Sequence, residues 1–191
     1  IGIAGKKRSG KDTFTQHLNM FFENKNKKVQ CESFASPIKE CLKTLFYLST
    51  EELENQKETK LDKLFEYSPR DLMKSLGDWS RGINKNIFIQ NMNHRVEQAQ
   101  KNNVDIFIIS DVRFDNEAYF IRNVLKGFIV GVNAEKRLNL KDSSKDNHIT
   151  ELGINKLFYD AVIENNGSVR EFKLNINKFI FENNIYLLLD P

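Results

Sequence analysis

At 191 residues the chain can bury one good core, and it is read as a single domain spanning residues 1–191. Its 29 Lys and Arg against 26 Asp and Glu leave a net charge of +3, too mild to argue for a nucleic-acid partner, and no apolar run approaches the roughly 20 residues that a membrane span needs. Cys31 and Cys41 lack C-x-x-C spacing and no secretory hydrophobic region is evident, so a reducing, cytoplasmic compartment is expected.

The chain begins at Ile1 rather than Met, so native residues are expected before it. Ile1 to Ala4 are apolar and predict a buried strand. Gly5-Lys6-Lys7-Arg8-Ser9-Gly10-Lys11 then follows the phosphate-loop pattern G-x-x-x-x-G-K. Glycines let such a loop turn tightly and aim successive N–H groups at a small, highly charged group. Phe14, Leu18, Phe21 and Phe22 recur at helical spacing, so a helix follows and adds its positive N-terminal end. Lys11 supplies a point charge for the β- and γ-phosphates of a nucleotide. A chance glycine turn is the weaker reading, because apolar strand and helix patterns flank the motif.

The residue after the lysine is usually Ser or Thr, whose hydroxyl ligates Mg²⁺; here it is Asp12, followed by Thr13. A carboxylate beside a triphosphate needs a cation between them. Asp12 therefore either holds Mg²⁺, directly or through water, or is a helix N-terminal acid favoured by the dipole. The Thr13 hydroxyl remains for a phosphate further back.

Val29 to Phe34 is a short strand candidate. Ser36-Pro37 reads as an N-cap with proline at the first helical position, and Ile38, Cys41, Leu42, Leu45 and Phe46 form an apolar stripe. Lys39 stands in the first turn, against the dipole, which hints at an anion nearby. Ser49-x-x-Glu52 is a capping box in a polar stretch. Ser68-Pro69 opens another helix, with Leu72, Met73 and Leu76 on one face. Arg70, Lys74 and Arg81 flank Trp79; such a group can bind a monophosphate and stack on a base, although a Trp is more often core. A further helix is expected from Lys85 to Gln100, and residues 36–100 form a helical, substrate-binding segment.

Val104 to Ile109 is the most apolar run and ends in Ser110-Asp111. Continuous hydrophobicity marks a strand covered on both faces. Asp111 alone could be a turn cap; beside a phosphate loop it reads as a Walker-B-type acid that holds Mg²⁺ through water or orients the attacking phosphate. Arg113, two residues on, is with equal weight a clamp on the transferred group or a surface arginine. Asp115 is expected to cap the next helix and Gly127 to end it, with Phe128 to Val132 as the next buried strand.

Residues 133–150 form a long polar loop bearing Lys136, Arg137, Lys141 and Lys145, which suits a basic lid over phosphates. For the individual lysines a solvated loop is the better reading. Ala161 to Ile163 is a short strand and Asn165-Asn166-Gly167 turns out of it. Ser168-x-x-Glu171 caps a last helix bearing Phe172, Ile176, Phe179 and Ile180. Strand and helix alternate about five times, which predicts a doubly wound parallel α/β sheet of the P-loop NTPase type with a lid loop. Ligands bind at the carboxyl ends of such strands, where Lys11, Asp111 and Asn165 all fall.

The chain resembles the bacteriophage deoxynucleoside monophosphate kinase family. The resemblance rests on Gly5-Lys6-Lys7-Arg8-Ser9-Gly10-Lys11-Asp12-Thr13, Pro37-Ile38-Lys39, Leu72-Met73-Lys74-Ser75-Leu76-Gly77, Asp111-Val112-Arg113, His148-Ile149-Thr150-Glu151 and Asn165-Asn166-Gly167-Ser168, in the family's order. The Asp after the lysine is itself a trait of that family. The loop and the S-D-x-R strand end are also similar to animal-type phosphomevalonate kinase; the His-Ile-Thr-Glu and Leu-Met-x-x-Leu-Gly stretches favour the nucleotide enzyme. Residues 47–68 are shorter here than in the phage enzymes, so acceptor choice has the fewest motifs behind it.

The resemblance implies that ATP and a deoxynucleoside 5′-monophosphate give ADP and the diphosphate, with Mg²⁺. It implies Lys11 for the β- and γ-phosphates and Arg113 and Arg137 for the transferred group, with Asp12 and Asp111 toward the metal. Gly5, Ser9, Gly10 and Thr13 complete the phosphate site, and Asn165 and Gly167 border the adenine. Lys7 and Arg8 face the acceptor phosphate, with Lys39, Arg70, Trp79 and Arg81 around the acceptor. His148 has no role beyond its place in the lid motif. A homodimer is compatible with this scheme. The competing readings are phosphomevalonate kinase and a P-loop switch without phosphotransfer. A switch needs no second phosphate site, and Lys39, Arg70, Arg81 and the basic loop argue for one.

Overall fold

The computed structural model describes residues 1–139 and 153–186. They group into two compact units, Ile1–Ser33 with the chain from Arg95 onward, and Phe34–His94.

The first unit is built on five parallel strands: β1 (Gly2–Ala4), β2 (Val29–Glu32), β3 (Ile106–Val112), β4 (Ile129–Asn133) and β5 (Ala161–Glu164), in the spatial order β2-β3-β1-β4-β5. This is the doubly wound sheet expected from the strand-helix alternation. Because β3 and β4 flank β1, the chain changes direction across the sheet at β1, and a crevice opens at its carboxyl end. Register fixes the level of that end: Ala4 lies beside Val112 on one side and Gly131 on the other. Asp111 is therefore still within β3, one residue before its end rather than just past it.

One face of the sheet is covered by α1 (Lys11–Glu23) and α8 (Val169–Glu182). Phe14, Leu18 and Phe22 of α1 and Phe172, Ile176, Phe179 and Ile180 of α8 bury against Ile3, Ile106, Ile108, Val130, Val132 and Ile163. Phe14 meets Phe179 edge-on, ring centroids 5.8 Å apart. Full burial of one such side chain stabilises by about 1.5–3 kcal/mol, so the apolar spacing in both helices explains their placement.

After β3 comes α6 (Asp115–Tyr119), which runs on into a π-helical turn, Phe120–Val124. Two expectations fail here. Asp115 does not cap α6, since its carboxylate accepts from the Asn155 backbone at 2.8 Å. Glu117 does that work, accepting from the backbone N–H of Arg113 and of Phe114. The left-handed residue after the helix is Lys126, φ 54°, not Gly127. The stretch after β4 is not all loop: it opens with α7 (Glu135–Asn139). Lys141, Lys145 and His148-Ile149-Thr150-Glu151 lie outside the described residues, as does most of the expected lid.

The second unit holds α2 (Ser36–Phe46), α3 (Thr50–Glu54), α4 (Pro69–Ile83) and the first part of α5 (Ile87–Lys101). α2 and α4 pack together, with Ile38 near Gly77, where a Cβ would meet the Arg81 guanidinium at 2.9 Å and Ile38 at 3.4 Å. Ala35, not Ser36, is the N-cap position of α2, with no side-chain cap.

Ser49, Ser68 and Ser168 each cap a helix in a reciprocal box with Glu52, Asp71 and Glu171. Ser168→Ala is expected to cost about 1 kcal/mol, measured as a shift in the urea midpoint. The capping carboxylates add an acid dependence. Hydrogen bonds from Lys63 and Ser49 hold Glu52 at about 2 against an ordinary 4.5. Bonds from Ser68 and Ser168 lower Asp71 and Glu171. A carboxylate depressed in the folded state stabilises above its unfolded pKa and loses that contribution as pH falls through the folded value. Stability should therefore decline from about pH 4.5 toward 2, and Glu52→Gln should flatten that slope in denaturation measured against pH.

Candidate active site

The loop between β1 and α1 follows from its residue types. Gly5 and Gly10 adopt φ 151° and 102°, which side chains rarely permit. A Cβ on Gly5 would lie 2.6 Å from the Val132 carbonyl and 2.7 Å from Ser9 Oγ. A Cβ on Gly10 would run into the Asn165 side-chain amide and come within 3.2 Å of Phe172. Arg8 takes the left-handed turn between them, φ 61°.

The carbonyls of this loop are held by side-chain donors. Lys11, 7% exposed, donates from Nζ to the carbonyls of Gly5 and Lys6, both at 2.8 Å. Arg137 on α7 donates from Nη2 to the Arg8 carbonyl at 2.6 Å and from Nε to the Asn165 carbonyl at 3.2 Å. Asn165, just after β5 and 8% exposed, donates from Nδ2 to the Ser9 carbonyl at 2.8 Å. Lys11, Arg137 and Asn165, scattered in sequence, thus meet on one loop. Gly167 lies further out, where a Cβ would strike the Glu171 carboxylate that caps α8.

The fit to a nucleotide phosphate rests on this cradle. Gly5 and Gly10 let the loop pack directly against the Val132 carbonyl, Ser9 and the Asn165 amide, and Ser9 Oγ is buried without a hydrogen-bond partner among the described residues. For Mg²⁺ the available donors are oxygens: Asp12 is exposed, while Thr13 and Asp111 are half-buried. Among the described residues no group of three or more His, Cys, Asp and Glu could hold a metal. The oxygens of Asp12, Thr13 and Asp111 are of the donor type that Mg²⁺ takes beside waters and phosphate oxygens. Arg113, half-buried, follows Val112, whose level in the sheet is that of Ala4, so its backbone stands beside the start of the loop. Next to Gly5 and Lys6 a cavity of about 700 Å³ is also lined by Asn133, Glu135, Lys156 and Tyr159, a volume in the range of small-molecule sites.

Sequence reasoning missed two residues. Asn133 accepts the Asn165 backbone N–H at 2.6 Å and donates from Nδ2 to Glu164 at 2.9 Å, tying β4 to β5 at the site. Its signal was an amide ending an apolar strand. Glu117 is 3% exposed and fixes the Arg113 backbone. It was hidden because the residue three before it is Phe114, which cannot complete a capping box.

In the second unit, Lys39 pairs with Glu54 at 2.6 Å and Arg70 with Glu58 at 3.3 Å. Arg81 lies 4.7 Å from the centroid of the Phe88 ring. Phe88 is buried, whereas Trp79 is 66% exposed, so Trp79 is not the core residue that a lone Trp usually is.

A family model for deoxynucleotide monophosphate kinase matches residues 45–176. A protein of Acanthamoeba polyphaga mimivirus, provisionally named a deoxynucleotide monophosphate kinase, is 35% identical over 189 residues, covering 90% of this chain and 91% of the relative. The chain belongs to the deoxynucleotide monophosphate kinase family. It is a kinase, a phosphotransferase of nucleotide metabolism. Among solved structures, dephospho-CoA kinase from Campylobacter jejuni aligns with 95% of this chain and 94% of its own, at 15% identity and a TM-score of 0.47. The family match begins at residue 45, so the loop at residues 5–13 rests on its own motif and geometry. No helix among the described residues of this kinase is long and apolar enough to cross a membrane.

Lys11→Ala is expected to lower kcat by roughly 10²–10³-fold, the scale of losing one transition-state donor, while circular dichroism reports an intact fold. Gly10→Ala is expected to cost about 1 kcal/mol or more in urea denaturation, because a side chain there is strained and meets Asn165.

Proposed function

We propose that the chain transfers the γ-phosphoryl group of ATP to a deoxynucleoside 5′-monophosphate, giving ADP and the diphosphate. The observation that carries this is the loop of Gly5 to Lys11, with positive φ at both glycines and Lys11 and Arg137 bonded to its carbonyls, in a member of this kinase family. We further propose that both units act as one kinase domain, with Phe34–His94 as its acceptor-binding part.

The acceptor phosphate is already a nucleophile at neutral pH, so the chemistry asks mainly for positioning and charge neutralisation. Lys11 exchanges its bonds to the Gly5 and Lys6 carbonyls for phosphate oxygens, which as charged acceptors bind an ammonium more strongly. Arg113 and Arg137 neutralise charge on the transferred group. Asp12 and Asp111 hold Mg²⁺, which when bound screens the phosphates from one another. Lys7 and Arg8 face the acceptor phosphate, and Lys39, Arg70 and Arg81 hold it. The exposed indole of Trp79 offers a flat face to a base.

The test is ADP release from Mg-ATP with a panel of dNMPs, NMPs and mevalonate 5-phosphate. We expect kcat/KM to be greatest for a dNMP. A small branched carboxylate would want a further buried cation, while the acceptor segment supplies an exposed aromatic. Greater kcat/KM for mevalonate 5-phosphate than for every nucleotide would sink the acceptor assignment, and no ADP release with any acceptor would sink the kinase reaction.

A further inference from the structure

Building on the kinase function proposed above, we propose that Asn165 is a positioning residue: its side-chain amide fixes the Ser9–Gly10 peptide so that the Gly10 N–H faces the nucleotide phosphates. A trans peptide holds its C=O and N–H pointing in opposite directions, and there is no cis peptide among the described residues. Asn165 Nδ2 donates to the Ser9 carbonyl at 2.8 Å in a buried position. Holding that oxygen toward Asn165 points the Gly10 N–H the opposite way within the peptide plane, away from Asn165.

The amide can hold the loop because it is itself held. Its backbone N–H donates to the Asn133 carbonyl at 2.6 Å, and its carbonyl accepts from Arg137 Nε at 3.2 Å. β4, α7 and the turn after β5 therefore all bear on one peptide of the loop. Burial makes the bond hard to give up, because an unmet buried donor keeps its full desolvation cost. Gly10 completes the fit: the amide occupies the space a Cβ would need. This role differs from bordering an adenine, since the side-chain donor is spent on the loop and is buried with it.

Pyrophosphate, which has no base, separates the two roles. Asn165→Leu keeps the shape and removes the donor without adding charge. We expect it to weaken pyrophosphate binding by calorimetry roughly tenfold, the scale of one buried hydrogen bond. KM for ATP should rise in step, and KM for the dNMP should stay unchanged. Unchanged pyrophosphate affinity, whether or not ATP binding weakens, would overturn the positioning role and leave the kinase function standing. Failure of the wild-type chain to bind either pyrophosphate or ATP would overturn both. If Asn165→Leu does not fold, the wild-type protein decides. Its Gly10 amide resonance should shift downfield when pyrophosphate is added, and an unmoved Gly10 resonance in a spectrum where other loop amides shift would overturn the proposal.

Discussion

A loop that wraps phosphate must turn its amide hydrogens inward, and its carbonyls must then turn outward into protein. Outward carbonyls need donors, because a buried backbone acceptor left unmet costs about as much as a lost hydrogen bond. In this chain Arg137 meets Arg8 and Asn165 meets Ser9, while Lys11 meets Gly5 and Lys6 through bonds that the proposed function exchanges for phosphate. The three donors come from α1, α7 and the turn after β5. The rest of the first unit is arranged so that these three segments arrive at one place.

That arrival depends on the sheet. β4 lies between β1 and β5, so its carboxyl end carries Asn133 beside the loop and beside Glu164. On the covered face, α1 and α8 share one apolar core, and Phe172 packs against the same Gly10 that starts α1. Stability and phosphate binding therefore draw on common residues. A large side chain at Gly10 would disturb the core as well as the cradle.

The second unit follows different physics. Its candidate acceptor cations are already paired, Lys39 with Glu54 and Arg70 with Glu58. Their carboxylates are the more exposed partners, and a partly exposed pair such as Lys39 with Glu54 is worth about 0–1 kcal/mol, so exchanging that carboxylate for a doubly charged phosphate costs little. Arg81 also rests on Phe88, a contact that orients the guanidinium. In the proposed function these cations exchange partners for the acceptor phosphate.

Much was legible in the chain because the signals are local. A phosphate loop is contiguous, and its glycines announce their backbone conformations. The boxes at Ser49, Ser68 and Ser168 are four-residue patterns, and the apolar runs in β3 and β4 mark strands covered on both faces. Local rules also misled: Asp115 looked like a cap and Gly127 like a helix stop, but Glu117 and Lys126 took those places. What spacing could not reveal is contact across more than a hundred residues. Asn165 and Ser9 are 156 positions apart, and Arg137 and Arg8 are 129 apart. Sequence alone determined the loop, the alternation of strand and helix and the family's motifs. Only the tertiary structure decided which side chains hold the loop's carbonyls, because that follows from strand order and register, which bring residues together without leaving a local pattern in the chain.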